Sequence, residues 1–139
     1  PSVFSPQSID ELRSAVDAYL KHDSRHGPIG EWDVSRVTDM GRMFSYATSF
    51  NGDIAKWDVS SVKDMSSMFL AARSFDRDLS SWDVSSVTSM QCMLFGATSF
   101  NQRLGGQWAT STADKLLMFA DGCPGSIEGK TNGARGTPR

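Results

Sequence analysis

Three aspartates, Asp33, Asp58 and Asp83, recur 25 residues apart inside the phrases WDVSRVTDMGRMF, WDVSSVKDMSSMF and WDVSSVTSMQCML. Carboxylates aligned one above another are hard oxygen ligands, and such a column could hold Ca²⁺. The simpler chemistry is local: each Asp caps its own turn by accepting backbone N–H bonds, and the fourth copy has Ala109 in that slot. Asn51, Asp76 and Asn101 form a second polar series, whose expected task is to bond exposed backbone between neighbouring coils. His22 and His26, four apart in HDSRH, have a spacing that holds zinc on a continuous helix. Gly27 and Pro28 put them at a helix end, and no Cys or third His joins them at fixed spacing. Paired methionines, Met40 with Met43, Met65 with Met68 and Met90 with Met93, are soft thioethers suited to Cu(I). A Met recurring once per coil is more simply a core filler. The expectation is therefore no metal and no cofactor. No Ser, His and acid grouping is recognisable, so no hydrolase chemistry and no enzyme activity are expected.

The elements that must position these residues follow from the interval itself. A fixed period of 25 residues is a signature of stacked repeats. Each unit opens with an aliphatic residue, Ile29, Ile54 or Leu79, with Leu104 opening a degraded fourth copy. Then come Trp32, Trp57 and Trp82; Val34, Val59 and Val84; and Val37, Val62 and Val87. The Met pairs follow, then Phe44, Phe69 and Leu94, an alanine (Ala47, Ala72, Ala97), and Phe50, Phe75 and Phe100. The expected structural core therefore includes Trp32, Trp57, Trp82, Met40, Met65, Met90, Phe50, Phe75 and Phe100.

Three segments are expected. Residues 1–28 form an N-terminal capping segment, in which Ser8 and Glu11 are an S-x-x-E capping box. Ile9, Leu12, Val16, Tyr19 and Leu20 then fall on one helical face that ends near Gly27 and Pro28. Residues 29–123 form the repeat region, with Leu104 to Cys123 as a terminal cap. Residues 124–139 are Gly-rich and poor in apolar side chains, which predicts an extended tail. Within a unit, Ile54 to Val59 suits a short strand, Val62 to Met65 a second extended piece, and SSMFLAA one helical or 3₁₀ turn. Stacked units would pair as short parallel strands about 4.8 Å apart.

Composition narrows the function classes. The chain has 139 residues, 39% hydrophobic, which supports one domain. Fourteen Lys plus Arg against 16 Asp plus Glu give a net charge of -2, and no basic stripe with interleaved aromatics points to nucleic acid. No apolar run reaches the roughly 18 residues of a membrane span. The first residue, Pro1, fits a processed or excised fragment, so an upstream signal or anchor is compatible with the reading. Cys92 and Cys123 occupy different slots of the repeat, which disfavours a disulfide between them.

A partner surface is sought where slots vary. Ser45, Leu70 and Phe95 follow the Phe44 slot, with Tyr46 one place on, so Tyr46, Leu70 and Phe95 make an apolar patch if they face outward. If the turn folds them inward they are core. Glu31, Lys56, Ser81 and Gln107 precede successive tryptophans and would project as a polar row, either a binding face or a wetted surface.

The unit IAKWDVSSVKDMSSMFLAARSFDRD, with its two full companions, resembles the BspA-like leucine-rich repeat of bacterial surface proteins, over Ile29 to about Phe119. The N-terminal helix followed by I-x-x-WDVS is also similar to members from algae and protists. The resemblance implies a repeat solenoid of leucine-rich-repeat-like α+β class, a short right-handed coil stack of parallel strands and helical turns capped by an N-terminal α-helix. It further implies a non-enzymatic protein-recognition or adhesion module, secreted or at the cell surface. The alternative is a structural accessory subunit docked on a larger, membrane-associated or organelle-lumen complex. Fold alone does not decide between them.

Overall fold

Successive units lie against one another in the register that the 25-residue interval requires. The computed structural model describes residues 2–129. Isolated parallel bridges join Asp39 to Asp64, Asp64 to Ser89 and Ser89 to Asp114. From that bridge onward every second amide crosses to the next unit: Met65 to the Ser89 carbonyl (2.9 Å), Ser67 to Gln91 (2.8 Å), Phe69 to Met93 (2.8 Å) and Ala71 to Phe95 (2.7 Å). Met40, Arg42, Phe44 and Tyr46 make the same four bonds to the second unit, and Met90, Cys92, Leu94 and Gly96 make them to the fourth.

The amides between the crossing ones close local turns. Met68, Leu70 and Ala72 donate three residues back, to Met65, Ser67 and Phe69. These three-residue closures are of the 3₁₀ kind, but they fall on alternate amides only, so no continuous helical or 3₁₀ turn forms over SSMFLAA. A continuous one would consume its amides internally and leave none for the neighbouring unit. The alternation requires left-handed backbone every fourth residue, found at Arg42 and Tyr46, Ser67 and Ala71, and Cys92 and Gly96. The short strand expected over Ile54 to Val59 is also replaced by turns, since Trp57 donates to the Ile54 carbonyl at 3.1 Å and Val62 to Val59 at 2.9 Å. Within this unit, extended pairing is confined to the bridge at Asp64, in the second extended piece.

The side chains inside these loops stack in columns. Phe50, Phe75 and Phe100 lie 5.7 and 6.0 Å apart with rings within 9° of parallel. Phe44 lies 5.5 Å from Phe69, and Phe69 stacks on Phe75 of its own unit at 4.2 Å. Each indole is also fastened backward: Nε1 of Trp57 donates to the Ile29 carbonyl (2.7 Å), Trp82 to Ile54 (3.0 Å) and Trp108 to Leu79 (2.8 Å). A buried indole thus satisfies its donor while its ring fills the core. All the expected core residues are buried, as are Val34, Val37 and their repeats.

The two ends are closed differently. Helix α1, Ile9–Leu20, starts where Ser8 Oγ accepts the Glu11 amide at 3.1 Å, while Glu11 reaches back to the Gln7 amide at 2.6 Å. It buries Leu12, Ala15 and Val16, and Tyr19 meets Trp32 and Phe50 edge-on at 6.0 and 6.2 Å. The helix ends at Leu20 rather than near Gly27, because His22 takes left-handed backbone and its amide returns to the Tyr19 carbonyl. Upstream, the Phe4 carbonyl accepts the Asp33 amide at 2.9 Å. At the other end, strand β1 (Arg103–Leu104) pairs in parallel with β2 (Ser126–Ile127). Ile127 is fully buried, so the segment expected as an extended tail from residue 124 packs onto the core through this strand. The rest of that tail, residues 130–139, lies outside the described residues.

Trp82 and Trp108 are 26 residues apart, and the extra residue is absorbed at Gly106 before helix α2, Gln107–Thr110. Gly106 has φ 59 and ψ -135, and a Cβ there would meet the Ser80 carbonyl oxygen at 2.9 Å. Gly106→Ala is therefore expected to lower unfolding stability by about 2–3 kcal/mol, a shift that urea denaturation would read. A change within a few tenths of a kcal/mol would contradict this backbone assignment.

Candidate partner-binding surface

Each polar series has a local structural task. In WDVS the aspartate accepts from the serine two residues on, by amide and by hydroxyl: Asp33 from Ser35 (3.1 and 2.6 Å), Asp58 from Ser60 (3.0 and 2.6 Å), Asp83 from Ser85 (3.0 and 2.6 Å). At Asp33 and Asp83 these bonds favour the ionised form. The Ser35 hydroxyl and then its amide hold the Asp33 carboxyl below the ordinary value, and Ser85 does the same for Asp83. Asn51 and Asp76 reach between units, accepting the amides of Asp76 (2.8 Å) and Asn101 (3.0 Å). Among the described residues no three His, Cys, Asp or Glu side chains are grouped as metal ligands.

The remaining candidates separate. His26 stacks on Phe4 at 3.8 Å and its carbonyl accepts Trp32 Nε1 at 3.0 Å, whereas His22 is exposed. Both methionines of every pair are buried. Cys92 is half-buried and Cys123 is buried, and no disulfide joins the two. A further series escaped the sequence reading: Asp39, Asp64, Ser89 and Asp114 hold the bridge position, and each accepts the amide two residues on. Their recurrence at the repeat interval was the available signal. The Gln91 amide and then the Leu116 N–H also hold the Asp114 carboxyl low.

The polar row is solvent-facing, with Glu31, Lys56 and Ser81 all exposed. Gln107 falls out of the row's register, because Gly106 occupies the matching slot. In the apolar series, the Tyr46 amide donates to the Leu70 carbonyl at 2.8 Å and the Ala71 amide to the Phe95 carbonyl at 2.7 Å. The ladder therefore sets these backbones side by side. Tyr46 is 70% exposed, while Leu70 and Phe95 are half-buried. Tyr46 stands in a slot that holds Ala71 and Gly96 in the next two units, so nothing in the repeat requires an aromatic there.

Tyr46 borders a groove of about 1050 Å³ between the end of α1 and the first unit. Tyr19, Leu20, His22, Asp23, Asn51 and Arg77 are among its lining residues. The sequence reading missed this groove, because one wall comes from the segment that does not repeat. Leu20, at the end of the apolar helix face, is 36% exposed. Within the described residues no helix is long and apolar enough to cross a membrane.

No curated protein and no solved structure matches the chain. A family model described as a Mycoplasma protein of unknown function, DUF285, matches residues 12–124, from within α1 to just past Cys123. That span takes in every unit whose register has been described, and the chain belongs to the DUF285 family.

Proposed function

We propose that the chain is a short repeat solenoid of BspA-like, leucine-rich-repeat type that serves as a non-enzymatic protein-recognition or adhesion module, secreted or at a cell surface. The observation that carries this reading is the 70% exposure of Tyr46 beside a groove, in a slot that the small residues Ala71 and Gly96 fill in the next two units. The shared slots are committed to columns, ladders and turn caps, which leaves the departing positions for recognition. The WDVS phrases supply the likeness to surface repeats, and the right-handed coil path is part of the same proposal.

The test compares wild type with Tyr46→Ala as bait in gently solubilised source material, with size-exclusion chromatography and mass spectrometry as readouts. A protein recovered with wild type and lost with Tyr46→Ala, at an unchanged melting temperature, supports the reading. Equal recovery overturns the role of Tyr46. The accessory-subunit reading draws on Leu116, 51% exposed on the last unit and remote in sequence from the groove. Stoichiometric co-elution with a large assembly, lost with Leu116→Ala rather than Tyr46→Ala, would select it.

A further inference from the structure

The groove beside Tyr46 contains a guanidinium that no carboxylate among the described residues pairs with. Arg77 is half-buried and donates from Nε to the Asn51 carbonyl at 3.0 Å. Its two Nη groups make no hydrogen bond to a described residue, and among the described residues the ion pair found is Arg25 with Asp23. That pair removes the groove's own acid from contention, since Asp23 is clasped by Arg25 Nε and Nη2 at 2.9 and 2.6 Å. Asn51 adds a donor: its Oδ1 is taken by the Asp76 amide, which leaves the Nδ2 group for a ligand.

Rigid apolar surface adjoins these donors. Tyr19 is braced edge-on by Trp32 and Phe50, and Leu20 and Tyr46 are exposed along the same groove. A half-buried guanidinium oriented by one bond gains more from a carboxylate than a fully solvated one does, and its planar fork fits both oxygens. Tyr and Arg together are the residue types that anchor protein interfaces.

We propose that this groove docks an acidic, extended segment of a protein partner, with a carboxylate held by Arg77 and a neighbouring apolar side chain laid against Tyr46 and Leu20. The inference rests on the protein-recognition reading above and names the chemistry of the partner.

The test is an NMR titration of the isotope-labelled full chain at low salt with the blocked peptide EFELE and its neutral counterpart QFQLQ. The acidic peptide is expected to shift Tyr46, Asn51 and Arg77 side-chain resonances and to bind about tenfold or more tightly than the neutral one, with the preference fading as salt rises. Arg77→Gln should erase the preference, and Tyr46→Ala should weaken both peptides. Should Arg77→Gln fail to fold, Arg77→Lys keeps a cation without the fork and is expected to lose most of the preference. Equal binding of the two peptides, binding of neither, or a preference that survives the Arg77 substitutions overturns the proposal. Capture of a partner that depends on Tyr46 but not on Arg77 would leave the recognition function standing and remove this inference alone.

Discussion

Phe75→Ala is expected to lower the unfolding free energy by about 3–5 kcal/mol, measured by urea denaturation with tryptophan fluorescence as the signal. Phe75 is fully buried and is shared by three neighbours, Phe50 and Phe100 in its column and Phe69 in its own unit. Truncating it removes contact on both sides of the second unit. The columns above and below are fixed by backbone bonds between units, so the space cannot readily collapse. Domains of this size have a total stability on the order of 5–15 kcal/mol, so the loss is a large share of it. A cost under about 1.5 kcal/mol would mean that the site repacks, and would contradict rigid columns.

Leu12→Asp is expected to detach α1 and expose the first unit. Leu12 is fully buried at the centre of the helix face, and an unpaired carboxylate there costs at least about 3 kcal/mol. The rest of the attachment is the buried Ala15 and Val16, Arg13 Nη2 to the Gly41 carbonyl at 3.3 Å, Tyr19 against Trp32 and Phe50, and Phe4 against Trp32. The released surface includes Ile29, Trp32 and Phe50, large side chains that then meet water or another chain. Because α1 spans 12 residues and α2 four, far-UV circular dichroism at the helix band would register the loss. Concentration-dependent association in analytical ultracentrifugation should accompany it. A monomer with wild-type ellipticity would show that α1 does not cap the first unit.

Register and burial were legible because one interval governs both. The Trp, Val, Met and Phe slots recur at a fixed spacing, and a side chain that must meet its own kind in the next unit can point only inward. The path of the chain between those slots was less legible. Residues 40–47 contain helix-compatible types, yet Arg42 and Tyr46 adopt left-handed backbone, which their side chains do not announce. The decisive influence is the neighbouring unit, which claims alternate amides and so rules out a helix. The end of α1 differs for a similar reason: His22, an unmarked residue, makes the turn that the sequence places at Gly27 and Pro28.

The candidate site was half legible. Tyr46 stood out as a departure from its slot, but its groove needs α1 folded back against the first unit. The placement of Arg77 in that groove also depends on its bond to the preceding unit's Asn51, 26 positions apart. Ile127 illustrates the opposite error. It is one apolar residue in a Gly-rich run, and composition alone gave it no partner, whereas the structure sets it on Leu104.

The central claim is that alternate amides of each unit bond to the next, which holds the units in register and leaves Tyr46 outside. Scalar couplings across hydrogen bonds, read by a long-range amide-to-carbonyl NMR correlation on the labelled full chain, test it directly. The account predicts cross-peaks from the Phe44 nitrogen to the Met68 carbonyl carbon, from Phe69 to Met93 and from Leu94 to Met118. Cross-peaks from those same amides to carbonyls four residues earlier would mean helical turns within each unit, and would contradict it.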